Sequence, residues 1–414
     1  MELRDYQIKL STQASEILQH KKIVYLAMEV RTGKTLTALN TAKLFGAKKV
    51  LFLTKKKAIS SIQWDFDNFG FDFDLTIIND ESLHLVENIG DNCDKFDLII
   101  HDEHHRFGAF PKPNKVAQLF KKRYSKLPMI FLSGTPTPES HSQWYHQFWI
   151  SDHSPFKDYT NFYKWSVDYV EVKEKRLGYA VIKDYSTAKE QLIRRKVQHF
   201  IITFTQAQAG FTTSVNEMVL ECEMQPITNL IINKLKKNLV VKNADGQVIL
   251  GDTGVKLMQK IHQLSSGTCK FEDGTSKVID KNKALFIHNK FKGIKIAIFY
   301  KFKEELNALK SVYGNDLTDN VEEFDNSEKC IALQIVSGRE GISLKNAKYL
   351  VYYNIDFSAT SYWQSRDRLT TMQRQSNEVF WIFSKGGIEL DIYKSVLKKK
   401  DYTLKIFNEN YLRN

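Results

Sequence analysis

The sequence predicts an α/β protein: two blocks of parallel sheet flanked by helices, with helical insertions between them. Three observations predict it. Short apolar runs alternate with longer amphipathic stretches. The runs fall into an early and a late series, and the chain between the two carries long helical-looking pieces and turn signals instead. A continuously apolar run of five to seven residues is how a strand buried on both faces reads, and the amphipathic stretch that follows supplies the crossover helix.

In chain order the early runs are KIVYLAM (22–28), KVLFLT (49–54), LTIIN (75–79), DLIIHD (97–102) and PMIFLSG (128–134). Helix-like KTLTALNTAKLF and KKAISSIQWDFDNF stand between them. The late runs are IKIAIFY (294–300), KCIALQIVS (329–337), KYLVYYN (348–354) and NEVFWIF (377–383), with KEELNALKSVY as a helical spacer. The blocks are therefore placed at 1–150 and 286–414. Residues 151–285 read as helical insertions and a linker (KEQLIRRKVQHF, PITNLIINKLKKNLV, GVKLMQKIHQL). Asp245-Gly246 and Asp273-Gly274 mark turns there, and one hairpin is expected near 268–280.

Composition narrows the class. Hydrophobic residues make up 42% and charged ones 26%, the balance of a folded globular chain. A net charge of +12 points toward a polyanionic partner or a solvated basic surface. The four cysteines lie far apart with no CxxC pair, which argues against zinc and suits a reducing compartment. The N-terminus reads as neither a signal nor a transit peptide, and no apolar run approaches a membrane span. A cytoplasmic protein without membrane contact is expected.

The chemistry begins at AMEVRTGKTLTAL (27–39). Gly33-Lys34-Thr35 follows a strand-like run and opens a helix-like one, the context a phosphate-binding loop requires. Backbone N–H groups and the helix N-terminus would cradle phosphate oxygens, Lys34 would reach the β- and γ-phosphates, and Thr35 would ligate Mg²⁺. Met28 stands where the first glycine of that pattern belongs, and Arg31 where glycine is common. An ordinary helix start is the competing reading. Next, FDLIIHDEHHRFG ends a strand on Asp102-Glu103-His104-His105. Asp102 suits the metal and Glu103 the base that orients the attacking water. A metal cluster in its own right and a solvated turn compete, although consecutive residues on a strand point to opposite faces. FLSGTPTPES offers Ser133 and Thr135 at a strand-to-turn junction. In the late block QIVSGREGISL carries Ser337, Gly338 and Gly341, and YWQSRDRLTTMQRQ carries Gln364, Arg366, Arg368 and Arg374. Arginine there suits either a transferring phosphoryl group or nucleic-acid phosphates.

LRDYQ (3–7), GKT, DEHH, SGTP, SGREGISL and QSRDR occur in the order found in superfamily-two helicases. Over nearly the whole chain the sequence resembles their Swi/Snf-type DNA translocases, in a short viral or bacterial form. The resemblance implies two RecA-like lobes with ATP and Mg²⁺ between them. It assigns Arg4 and Gln7 to adenine, and Arg31, Thr32, Gly33, Lys34 and Thr35 to the phosphates. Thr35 and Asp102 fall to Mg²⁺, Glu103 to catalysis, and Ser133 and Thr135 to coupling. Gly341, Gln364 and Arg368 come from the second lobe, with Arg368 as the arginine finger. Thr371 replaces a second arginine usual in the family, with Arg366 or Arg374 as substitutes.

Candidates for gripping nucleic acid are Thr54 to Lys57 (Thr54 and Lys55 foremost), Ser82 with His84, Ser337 and Ser343, and the basic Arg194 and Arg195. Trp144, Trp149 and Trp165 read as packing. The expected activity is nucleic-acid-stimulated ATP hydrolysis with movement on DNA. Duplex or branched DNA is favoured over single strands, in replication, recombination or repair and beside proteins of those processes, by a monomer. Two alternatives are an ATP-binding, DNA-binding protein with little turnover, and the motor subunit of a nuclease or restriction complex.

Overall fold

The structure is a computed structural model and describes residues 2–83, 95–177, 180–210, 214–335, 344–358, 361–362 and 376–398. The chain divides into two compact units, Met1–Phe211 and Thr212–Asn414.

In the first unit α1 (Asp5–Lys21) precedes β1 (Ile23–Met28), α2 (Lys34–Phe45), β2 (Lys49–Thr54), α3 (Ile59–Phe69), β3 (Asp74–Asn79) and β4 (Leu98–His101). Then come α4 (Lys115–Tyr124), β5 (Met129–Leu132), α5 (Trp144–Trp149) and α6 (Phe162–Tyr169). A hairpin of β6 (Lys173–Leu177) and β7 (Ala180–Asp184) leads to α7 (Glu190–Val197) and β8 (Ile201–Phe204). The sheet has the order β3-β2-β4-β5-β1-β8, and every pairing in it is parallel. Alternation along β1 divides two cores. Val24, Leu26 and Met28 join the layer of α1 and α2, whereas Ile23 and Tyr25 join the aromatic layer containing Phe131, Trp144, Phe148 and Trp165. Trp144 and Trp165 thus pack a core, as the sequence indicates.

The second unit begins with β9 (Ser214–Cys222) and α8 (Pro226–Asn238). Next are a hairpin of β10 (Val240–Lys242) and β11 (Val248–Leu250), α9 (Gly254–Ser265), and a second hairpin of β12 (Thr268–Lys270) and β13 (Ser276–Val278). The lobe proper follows: α10 (Asn282–Lys290), β14 (Ile296–Tyr300), α11 (Lys303–Tyr313), β15 (Leu317–Thr318), α12 (Val321–Asp325), β16 (Cys330–Gln334), β17 (Tyr349–Tyr352), β18 (Ser376–Ser384) and α13 (Glu389–Leu397). Its sheet runs β15-β16-β14-β17-β18-β9, again with parallel pairings. Each unit is thus built on a six-stranded parallel sheet with helices packed against it.

The segment 151–285, expected as insertions and linker, is shared between the units. β8 closes the edge of the first sheet beside β1, and β9 closes the edge of the second beside β18. Both are edge strands, and that is why their pattern hid them. β8 has only four residues and alternates in exposure, while Asn216, Glu217 and Glu221 interrupt β9. The hairpin expected near 268–280 is β12–β13.

Candidate nucleotide site

The loop between β1 and α2 lies at the carboxyl end of a central strand, where open parallel sheets place their ligands. Gly33 precedes α2 with φ +77°, a left-handed conformation that glycine adopts freely. A Cβ built there would lie 2.2 Å from the Gln7 amide nitrogen. No side chain caps α2, so its first N–H groups are open to an anion. Arg31 also lies in the left-handed region, at φ 62°, which explains why glycine suits that position. Met28 needs no such freedom; it is wholly buried as the last residue of β1.

The loop is held from several sides. Thr32 Oγ1 donates to Glu29 O at 2.7 Å, and Lys34 Nζ donates to the same oxygen at 3.3 Å. The Glu29 carboxylate accepts from Gln206 N at 2.7 Å, and Gln206 Nε2 donates to Val30 O at 3.0 Å. Below the loop, Gln7 Nε2 donates to Gly33 O at 3.3 Å while Gln7 Oε1 accepts from Arg4 N at 2.9 Å. Tyr6 OH donates to Thr32 O at 3.2 Å, accepts from Arg4 Nη1 at 3.0 Å, and the Tyr6 ring stacks on Phe204 at 4.9 Å. Gln7, expected at adenine, is therefore a buried buttress for the loop here. Tyr6, Glu29, Phe204 and Gln206 were not singled out by sequence. Tyr6 lies within the LRDYQ stretch, but Gln206 is 177 residues from Glu29 and has no local signal.

Asp102 follows β4. Its Oδ2 accepts from Thr54 Oγ1 at 3.1 Å and its Oδ1 from Glu103 N at 2.9 Å. Burial raises the Asp102 pKa to about 6, Glu103 adds to the rise, and Lys34 and the Thr54 hydroxyl oppose it. Thr54 was expected at the nucleic acid; it is buried and its hydroxyl bonds Asp102, because Thr54 and Asp102 lie side by side one step beyond the Leu53↔His101 pair of β2 and β4. Glu103 has φ 48°, which turns the chain sharply after Asp102. His105 Nδ1 lies 3.2 Å from Glu103 Oε2 and 3.0 Å from Ser133 Oγ, and that hydroxyl accepts from Thr135 N at 3.1 Å. The acid turn and the Ser133–Thr135 turn are thereby joined.

The HDEHH residues do not converge on one point. His104 Nε2 faces Gln147 O at 2.9 Å and its Nδ1 faces His101 Nδ1 at 2.6 Å, with the ring flat on Phe131 at 3.7 Å. Burial lowers the His104 pKa well below its ordinary value, so this imidazole is neutral packing. His101 lies 3.5 Å from Asp80, which also pairs with Arg106 at 2.6 Å.

The residues present fit a Mg²⁺–triphosphate. An uncapped helix start, Lys34 and the half-buried Thr35 stand at the loop, and beside them is a buried carboxyl whose ionised form needs a cation. Lys55 is half-buried after β2, and Arg194 and Arg195 are exposed on α7, where Arg194 pairs with Glu190 at 2.7 Å. His84, Ser337, Gly341, Gln364 and Arg368 lie outside the described residues, as do Ser343, Arg366, Thr371 and Arg374.

Residues 1–70 match the family described as "Type III restriction enzyme, res subunit". That match covers α1, β1, the loop that follows it, α2 and β2, the stretch that holds Arg4, Gln7, Lys34 and Thr54. Among solved structures the chain is similar to the Sulfolobus solfataricus SWI2/SNF2 ATPase core in complex with dsDNA. The two share 16% identity at a TM-score of 0.44, over 100% of this chain and 94% of that one. No curated protein matches the chain. No helix of the described residues is long and apolar enough to cross a membrane.

Proposed function

We propose that the chain is an ATPase stimulated by nucleic acid that moves along DNA, with duplex or branched DNA preferred. The observation that carries this reading is the meeting of Lys34, Asp102 and Thr54 at the ends of β1, β4 and β2, linked through Glu103 and His105 to Ser133. In this reading Lys34 and the loop N–H groups bind the β- and γ-phosphates. Asp102 and Thr35 hold Mg²⁺, which would supply charge neutralisation between phosphate oxygens. Glu103 orients the attacking water and takes its proton. His105 senses Glu103 on one side and Ser133 on the other, and so carries the state of the site into the turn that follows β5. Arg368, by the resemblance stated above, stabilises charge on the transferring group. Lys55, Arg194 and Arg195 contact phosphates of the nucleic acid, which suits an engine indifferent to sequence.

The deciding experiment compares ATPase rates with single-stranded DNA, duplex, a branched junction and RNA. Stimulation by duplex or junction, lost in Glu103→Gln, is the expected result. Equal rates with and without any nucleic acid would end the motor reading.

One observation favours a second reading. The family matched by residues 1–70 is named for a restriction-enzyme subunit, so the chain is alternatively the motor of a nuclease complex. Co-purification with a nuclease, and cleavage that depends on ATP and on Lys34, would favour it over a stand-alone motor.

A further inference from the structure

Side chains from outside the loop after β1 hold it by donating to its carbonyls. Gln206 Nε2 donates to Val30 O at 3.0 Å, Tyr6 OH to Thr32 O at 3.2 Å, and Gln7 Nε2 to Gly33 O at 3.3 Å. Within the loop, Glu29 O accepts from Thr32 Oγ1 at 2.7 Å. The acceptors of Tyr6 and Gln7 are engaged as well. Gln7 Oε1 accepts from Arg4 N at 2.9 Å, and the Tyr6 hydroxyl accepts from Arg4 Nη1 at 3.0 Å. The resemblance puts Gln7 at the nucleobase, yet only 3% of Gln7 is exposed. Its Nε2 lies 2.2 Å from where a Cβ on Gly33 would stand, so the amide packs flush against the loop. It cannot turn its edge to a base without withdrawing from the loop it supports. Arg4 beside it is exposed, with its guanidinium over the Tyr6 ring at 5.9 Å from the centroid. Behind Tyr6 stands Phe204, stacked at 4.9 Å. The distinction matters for selectivity. A site that hydrogen-bonds a base rejects the wrong one by large factors, whereas stacking tolerates every base because each has a π face.

We propose that the site takes nucleoside triphosphates of any base. The loop and Lys34 bind the phosphates, the base stacks on Arg4, and neither Gln7 nor Tyr6 reads its hydrogen-bonding edge. The polar groups suited to reading a base are used to tie down the loop's carbonyls instead, which leaves the uncapped N–H groups at the start of α2 for the phosphates. Affinity then comes from the part that all nucleoside triphosphates share, and GTP, CTP and UTP serve as fuel beside ATP.

The inference rests on the nucleotide-site reading above and concerns only which base that site accepts. With the full chain and Mg²⁺, ATP, GTP, CTP, UTP and inorganic tripolyphosphate each compete against a fluorescent ATP analogue at equilibrium. Hydrolysis of the four nucleotides is measured alongside, with duplex DNA present. The four should agree within about tenfold in Kd and in kcat/KM, since only stacking strength separates them. Arg4→Ala should weaken all four about tenfold and leave tripolyphosphate unchanged. Gln7→Ala, with thermal melting to verify the fold, should weaken nucleotides and tripolyphosphate alike, because the loop loses its support. A preference for ATP of about 100-fold or more would show that the base is read and overturn the inference, with the ATPase reading intact. So would a loss in Gln7→Ala that strikes ATP and spares GTP and tripolyphosphate. Where Gln7→Ala melts too early to measure, the series of bases on the unaltered chain decides. An Arg4→Ala variant that binds every nucleotide as before, or loses tripolyphosphate equally, would overturn the stacking assignment. Absence of binding by the analogue and by all five competitors would instead remove the nucleotide-site reading itself.

Discussion

At the scale of single residues, Asp102 makes the sharpest demand. Its pKa is raised to about 6, so the folded state holds its proton more tightly than the unfolded chain does. The stability this gives is full below the ordinary carboxyl value near 3.8 and is lost as pH rises through about 6. At neutral pH without metal, the ionised carboxylate is a net cost. Asp102→Asn should therefore raise the melting temperature in EDTA, more at about pH 7.5 than at about pH 5, while abolishing Mg²⁺-dependent hydrolysis. An equal or lower melting temperature at both pH values would show that Asp102 is compensated by contacts other than those described. Arg31 supplies a second test. A non-glycine residue in the left-handed region is strained by roughly 1 kcal/mol, so Arg31→Gly should cost little stability or none. Its effect should appear in ATP affinity if the guanidinium touches phosphate, and equilibrium binding of a fluorescent ATP analogue reads this directly.

At the scale of elements, the contrast between what sequence revealed and what it hid follows one rule. Interior strands such as β1, β4, β14 and β17 are apolar on both faces, and their runs declared them. β8 and β9 lie at sheet edges and carry polar residues, so only the three-dimensional pairing exposes them. The site obeys a similar rule. Lys34, Asp102 and Ser133 follow the ends of β1, β4 and β5 and lie in short readable motifs, whereas Gln206 reaches Glu29 only because β8 pairs with β1. Thr54 was read as facing nucleic acid because its motif position suggested it; the sheet turns its hydroxyl to Asp102. Helices also carry a testable joint. Lys283 on α10 and Glu389 on α13 form a wholly buried ion pair at 2.7 Å, with Tyr353 O and Ser384 Oγ completing their hydrogen bonds. Removing one partner leaves a buried charge alone, which costs about 3–5 kcal/mol. Lys283→Met should lower the denaturant midpoint strongly, and adding Glu389→Leu should recover much of the loss. If the double variant is no better than the single one, the pair is not the unit of stability.

At the scale of the whole molecule, the groups proposed for binding and for turnover fall in different units. Lys34, Thr35, Asp102 and Glu103 all belong to the unit 1–211, while Arg368 belongs to the unit 212–414. Each unit has its own cores, so a lesion in one need not unfold the other. Trp381 is the buried centre of the second unit's aromatic layer, stacked on Tyr352 at 3.7 Å and donating its Nε1 hydrogen to Glu217 at 2.8 Å. Trp381→Ala should cost about 3–5 kcal/mol in that unit. Arg368→Ala should leave it folded and lower kcat about 10³-fold or more if Arg368 acts as the finger. Both variants should still bind a fluorescent ATP analogue with affinity within a few fold of the unaltered chain, because the phosphate loop and its supports are complete within the first unit. The two should differ in melting, since only Trp381→Ala should show an early transition. Loss of ATP binding in Arg368→Ala would mean that the first unit does not hold the nucleotide by itself. Hydrolysis would then need both halves from the moment of binding, with no separate closing step to drive movement.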